Sequence, residues 1–323
     1  HKQMAGGIAG YNAGTIQNCT QSANLGTRQT GYTYIGGIAG VNAGTIQTSA
    51  PDRVTISGEQ AVGGVAGLNA QDGKIQGITD CTVTVQGSQV VGGLAGKNNG
   101  TVQGSTLQNV NVAASGSNAG GAVGQNSGTV QSVTVQRGSV QGSDATGGLA
   151  GENLGRVESC KTEATLTVRA NQNAGAAVGS NESGAVVSAG SYASTVYAAS
   201  SNAGGIAGVN AGSVEGTATV SAAVTCENGD AGGVAALNGG SISAVQVNNC
   251  TVNSGSAYMG AVAAVNNGTI QGVTVQSAAL QGDATVIGGI AGVNNATIGT
   301  ETSACTVQPN ALTLEKLTAA DIT

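Results

Sequence analysis

The chain has 323 residues, of which 56 are Gly, 6 are Tyr and none is Phe or Trp, so Gly is more than double its usual share of ~7%. With 40% hydrophobic and only 8% charged residues, the sequence excludes an aromatic-cored enzyme fold and a charged disordered tail, and Gly without a G-X-Y period excludes collagen. Ten basic against sixteen acidic residues give a formal charge of −6, with no Lys or Arg run to neutralise a row of phosphates, so nucleic acid is not an expected partner.

The chain opens on His1-Lys2-Gln3-Met4, neither an initiator Met nor a signal peptide, and reads as a mature or excised fragment. No apolar run approaches the ~20 residues of a membrane span, so no membrane insertion is expected. From residue 6 one motif begins: Gly-Gly-Ile-Ala-Gly-Tyr-Asn-Ala-Gly-Thr-Ile at 6–16, then almost the same run at 36–46. Its Asn recurs as Asn12, Asn42, Asn69, Asn98, Asn126, Asn153, Asn181, Asn210, Asn238, Asn266 and Asn294, at spacings of 27 to 30 residues.

Each period holds three stretches suited to short strands: the Gly-Gly-[Ile/Val/Leu]-Ala-Gly run, Thr-[Ile/Val]-Gln, and an alternating segment such as Cys81-Thr82-Val83-Thr84-Val85-Gln86. Alternation directs Cys81, Val83 and Val85 inward and the Thr residues outward. Four places before each anchor Asn lies an aliphatic residue, from Ile8 to Ile290, dipping to Ala at Ala122 and Ala177. The expected fold is therefore all-β: a right-handed parallel β-solenoid (β-helix) of about eleven coils, each of ~28 residues and three short strands.

Asn-x-Gly is expected to supply turn positions that tolerate positive φ, and stacked Asn side chains to hydrogen-bond along the axis. The turns lengthen at Asn69–Gly73 and at Asn181–Gly184. Residues 1–308 read as a single repeat domain, and 309–323, which break the pattern, as a C-terminal cap or linker.

At these residues the chain resembles the GLUG-motif repeats, Gly-Gly-[Leu/Ile]-x-Gly-x-Asn-x-Gly-[Thr/Ser]-[Ile/Val], of bacterial secreted and cell-surface proteins. These include adhesin-like proteins and the non-catalytic parts of some immunoglobulin A1 peptidases. The likeness runs through all eleven coils. Departures are Ala176 and Ala261 for the second Gly, Ala236 and Ala264 for the Gly two before the anchor, and Ala296 for the turn Gly; a methyl is expected to be tolerated at each. The resemblance implies an exported bacterial surface module and carries over no catalytic residue.

His1 is the sole histidine, so no His-based triad or His-x-x-x-His zinc site is expected within the fold, and no metal or cofactor. A carbohydrate-active β-helix enzyme requires charged side chains gathered on one outer face. The nearest gathering in sequence is Glu152, Glu158, Lys161, Glu163 and Arg169, whose spacing mixes faces and turns. Cys226 and Cys250 fall in adjacent coils but four residues out of step, too far for a direct bridge unless a turn folds back, so the sequence leaves that pairing open; the other cysteines read as small buried hydrophobes.

Tyr32, Tyr34, Tyr192, Tyr197 and Tyr258 lie between motifs and are the candidate ligand contacts, since Tyr stacks on sugars and anchors protein interfaces. Thr15, Thr45, Thr101, Thr129, Thr269 and Thr297 share one position, but Lys74, Arg156 and Ala185 interrupt the row, which argues against an ice-matching face. The leading expectation is a non-enzymatic extracellular module on a bacterial surface, acting as a stalk or as a binding face for a host glycan or extracellular protein. The alternatives are a polysaccharide lyase or hydrolase and a filament formed by self-association.

Overall fold

The Ala-Gly-x-Asn part of the motif forms one strand in every coil. In the computed structural model, which describes residues 3–26, 32–79, 81–255 and 257–315, these strands run from Ala9–Asn12 to Ala291–Asn294 and stack into an eleven-stranded parallel sheet. Its register sets Asn beside Asn: Asn12 against Asn42, Asn42 against Asn69, and so on to Asn266 against Asn294. Three further ladders complete the coil. Thr45–Gln47 stacks on Lys74–Gln76 and Thr101–Gln103. The longer alternating strands, such as Cys81–Gly87 and Thr106–Ala114, pair with one another. Short strands such as Ala61–Gly63 and Val90–Gly92 end on the first Gly of the motif. The protein is an all-β, parallel β-solenoid of about eleven turns with about 28 residues per turn.

Most coils therefore have four strands where the sequence suggests three, because the Gly-Gly pair does not continue a strand but bends it. A Cβ at Gly63 would collide with the carbonyl oxygen of Ala66, and one at Gly64 with that of Gly93 in the next coil. Inside this bend sits the aliphatic stack. Ile38, Val65, Leu94, Leu149, Ile206, Val234 and Val262 are fully buried, and only the terminal members Ile8 and Ile290 reach solvent. The alternation on the long strands holds: Cys81, Val83 and Val85 are buried while Thr82 and Thr84 are half-buried.

The turn chemistry differs from expectation in an informative way. Positive φ is not found at the anchor Asn or, outside the lengthened turn at Gly184, at the Gly that follows it. That Gly is required by close approach instead: a methyl at Gly128 would strike the Gly100 carbonyl oxygen, and one at Gly240 the Gly212 carbonyl oxygen. Where Ala296 takes this place, the bond from Thr297 N–H to Gly268 O stretches to 3.3 Å, against 2.8–2.9 Å for its equivalents in the other coils. The left-handed residue lies after Thr-[Ile/Val]-Gln or its equivalent, at Asn18, Thr48, Gly77, Gly104, Ser132, Ser159, Ala189, Gly216, Ala244 and Gly272, with φ from 39° to 70°. This corner turns the chain into the long strand.

Insertions are absorbed in the turns. Gly73 N–H donates to Ala70 O and Ala185 N–H to Glu182 O, each at 2.9 Å, closing the extra loop before the next strand. One consequence is a shift in the Thr row: Val186, not Ala185, lies in register with Arg156 and Ser213. At the far end Leu312–Glu315 adds a strand beside Ala278–Gly282. His1 and residues 316–323 lie outside the described residues.

Candidate functional site

The anchor asparagines close each Ala-Gly-x-Asn strand with their side chains turned into the wall of the solenoid. Asn126 is typical: its Nδ2 donates to Asn153 Oδ1 at 2.8 Å, to Arg156 O at 3.0 Å and to Gly128 O at 3.2 Å, while its Oδ1 accepts from Asn98 Nδ2 at 2.8 Å. Ten such Asn-to-Asn bonds of 2.7–2.8 Å run unbroken from Asn12 to Asn294. The nine asparagines from Asn42 to Asn266 are fully buried. A carboxamide is suited to this place because it is donor and acceptor at once, so identical side chains satisfy one another at every step.

A second amide row lies outside. Gln47 Nε2 donates to Gln17 Oε1 at 2.9 Å, Gln76 to Gln47 at 2.9 Å and Gln103 to Gln76 at 3.1 Å. Gln131 continues the row in register but makes no side-chain hydrogen bond among the described residues, and Glu158 follows it. Beside this row the left-handed corners leave a shallow groove of ≈ 680 Å³, lined by Gln47, Gln76, Gln103 and Gln131 with Thr48, Gly77, Gly104 and Ser132.

A third feature is a smaller pocket of ≈ 240 Å³ where Asp144, Glu152 and Glu182 meet Asn118, Asn173 and Ser180. Glu152 accepts from Gln125 at 2.7 Å and Asn118 at 3.0 Å. Asp144 accepts from Asn173 at 3.3 Å, and Glu182 from the Ser180 hydroxyl. Among the described residues no group of three or more His, Cys, Asp or Glu side chains is placed to hold a metal ion.

The coil-six charges disperse. Glu152 enters this pocket, Glu158 joins the amide row and lies 4.0 Å from Arg156, and Lys161 pairs with Glu163 at 2.8 Å on the surface. Arg169 stacks 5.1 Å from the centre of the Tyr197 ring. Of the pocket's other carboxylates, Asp144 lies between motifs and Glu182 in the lengthened turn Asn181–Gly184, and only the coil register brings them to Glu152. The Gln row, by contrast, is legible as the third residue of Thr-[Ile/Val]-Gln.

The five candidate tyrosines do not form one face. Tyr192 is fully buried, so it is not available to a ligand; burial pushes its hydroxyl well above the ordinary range, and that hydroxyl has no hydrogen-bond partner. Tyr32 packs against the core, and Tyr34 is half-buried. Tyr197 donates to Glu227, which holds its hydroxyl above the usual value. Tyr258 is 38% exposed.

All six thiols are free. Cys226 pairs with Ser254 and Cys250 with Ala278, so the four-residue offset persists in space. Cys160 is more than a small hydrophobe. It accepts from Val133 N–H at 3.4 Å and donates to Glu158 O at 3.2 Å, the bonds that Ser105 makes with Ile78 N–H and Gln103 O.

No protein-family model, curated protein or solved structure matches the chain.

Proposed function

We propose that the chain is a non-enzymatic extracellular repeat module of a bacterial surface protein of the GLUG-motif kind, a stiff rod that carries a recognition face or serves as its stalk. The observation that supports this best is the unbroken asparagine ladder, ten hydrogen bonds in series through eleven coils. Strand pairing, aliphatic stack and ladder all run along one axis, so bending the rod strains all three together. At ~4.8 Å per coil the array reaches roughly 50 Å.

The test is to offer the purified chain to an array of host glycans and extracellular proteins while assaying the same polysaccharides for cleavage. We expect saturable binding without turnover, or neither in a pure stalk.

A second reading, a polysaccharide lyase or hydrolase, is favoured by one observation: Asp144, Glu152 and Glu182 line a single pocket. Paired carboxylates are the usual acid and base of glycoside hydrolysis. Release of reducing ends or unsaturated sugars, abolished by Glu152→Gln, would replace the first reading with this one.

A further inference from the structure

The groove beside the glutamine row combines three properties. It is straight and parallel to the rod axis, because Gln47, Gln76, Gln103 and Gln131 stack in register on successive coils; over three coil spacings its length is about 14 Å. It is uncharged, since no Asp, Glu, Lys or Arg lines it. Its floor is cut low by the left-handed corners, where Gly77 and Gly104 bear no side chain.

The hydrogen-bonding capacity of this wall is only partly used. A primary amide has two N–H donors and two carbonyl lone pairs. Gln47 and Gln76 each spend one donor and one acceptor on their row neighbours. One N–H and one lone pair therefore remain on each, and the whole amide of Gln131. The groove thus offers donor and acceptor together at every coil.

An extended peptide is a poor occupant. Each strand beside the groove is already paired on both sides, so no edge is free for β-addition, and the groove lacks the aromatic or aliphatic anchor that protein interfaces use. A polymer that presents hydroxyl groups at regular intervals fits instead, because each hydroxyl is also donor and acceptor. A separate hollow of ≈ 210 Å³ on the long strands of the same coils is also rich in hydroxyls and amides, with Thr55, Thr82, Thr84, Asn109 and Asn111 in its lining, but it includes the charged Arg53 and is not part of the proposed face.

We infer that coils two to five carry a binding face for a neutral, hydroxyl-rich polysaccharide laid along the rod, with the row Gln47–Gln76–Gln103–Gln131 as its hydrogen-bonding wall. This rests on the reading of the chain as a recognition module. Individual contacts are weak and gain strength from repetition along the polymer.

The test is affinity electrophoresis of the whole chain through gels containing hydroxyethyl cellulose, galactomannan or dextran, with polygalacturonate as the charged comparison. Gly77→Asn/Gly104→Asn fills the floor without disturbing the fold: Asn tolerates φ of 60° and 56°, and a Cβ there meets nothing closer than 3.9 Å. Gln76→Ala/Gln103→Ala removes part of the wall. We expect retardation by at least one neutral polymer, at least tenfold weaker affinity in both double variants, and unchanged thermal midpoint in the Asn pair. Equal retardation of both variants and the parent would overturn the groove while leaving a recognition module intact. Absence of retardation by every neutral polymer overturns it as well, and the broader array then decides separately whether the chain binds anything.

Discussion

Tyr192 and the buried cysteines show how a side chain's meaning depends on the register it falls into. By position between motifs Tyr192 looked like its fellow tyrosines, yet it pairs with Thr162 below and Val220 above on the inward side of its strand. Its hydroxyl is buried without a partner, so Tyr192→Phe is expected to stabilise the protein by about 1 kcal/mol, read from denaturant midpoints at constant slope. The thiols of Cys81 and Cys250 are pushed up to about 12 by burial, whereas an unfolded thiol ionises near about 8.5. Raised folded values mean that this contribution is complete below the unfolded value and is lost as pH rises toward 12. Thermal midpoints should thus fall between pH 8 and 11, and fall less steeply in Cys81→Ala/Cys250→Ala. Identical slopes would show that these thiols are not the titrating groups.

At the scale of the element, the asparagine ladder and the turn glycine are one device. The ladder's Asn126 places a carboxamide under the next coil, and Gly128 lets the turns approach to hydrogen-bonding distance. Asn126→Ala leaves Asn98 Nδ2 and Asn153 Oδ1 without their buried partner, and we expect a loss of roughly 2–4 kcal/mol by urea unfolding. A loss no larger than that of a surface Asn such as Asn228→Ala would deny the ladder its role.

Much of this was legible in the sequence. The 27- to 30-residue period gave the coil, the Asn anchors the register, and the alternation Cys81-Val83-Val85 the buried face. Less legible was the place of each bend. Gly-Gly and Asn-x-Gly are glycines for want of space, whereas the left-handed corner accepts Thr48, Ser132 and Ala244 as readily as Gly77, so composition does not mark it. The pocket of Asp144, Glu152 and Glu182 was hidden for a different reason, since its residues meet only across coils.

For the molecule as a whole, the proposed function requires the eleven coils to act as one stiff body. The terminal coils differ from the rest: Ile8 is 43% exposed, whereas its counterpart Ile38 is fully buried. A repeat array is stabilised by interfaces between neighbours, and its end units have one neighbour only. The most direct measurement is amide hydrogen exchange along the intact chain, followed by mass spectrometry. We expect one continuous block of slow, uniform exchange from Ile35 to Val275, with faster exchange confined to the first and last coils. A fast-exchanging break within that block, for instance at the lengthened turn of Asn181–Gly184, would divide the rod into two independent bodies and contradict the central claim.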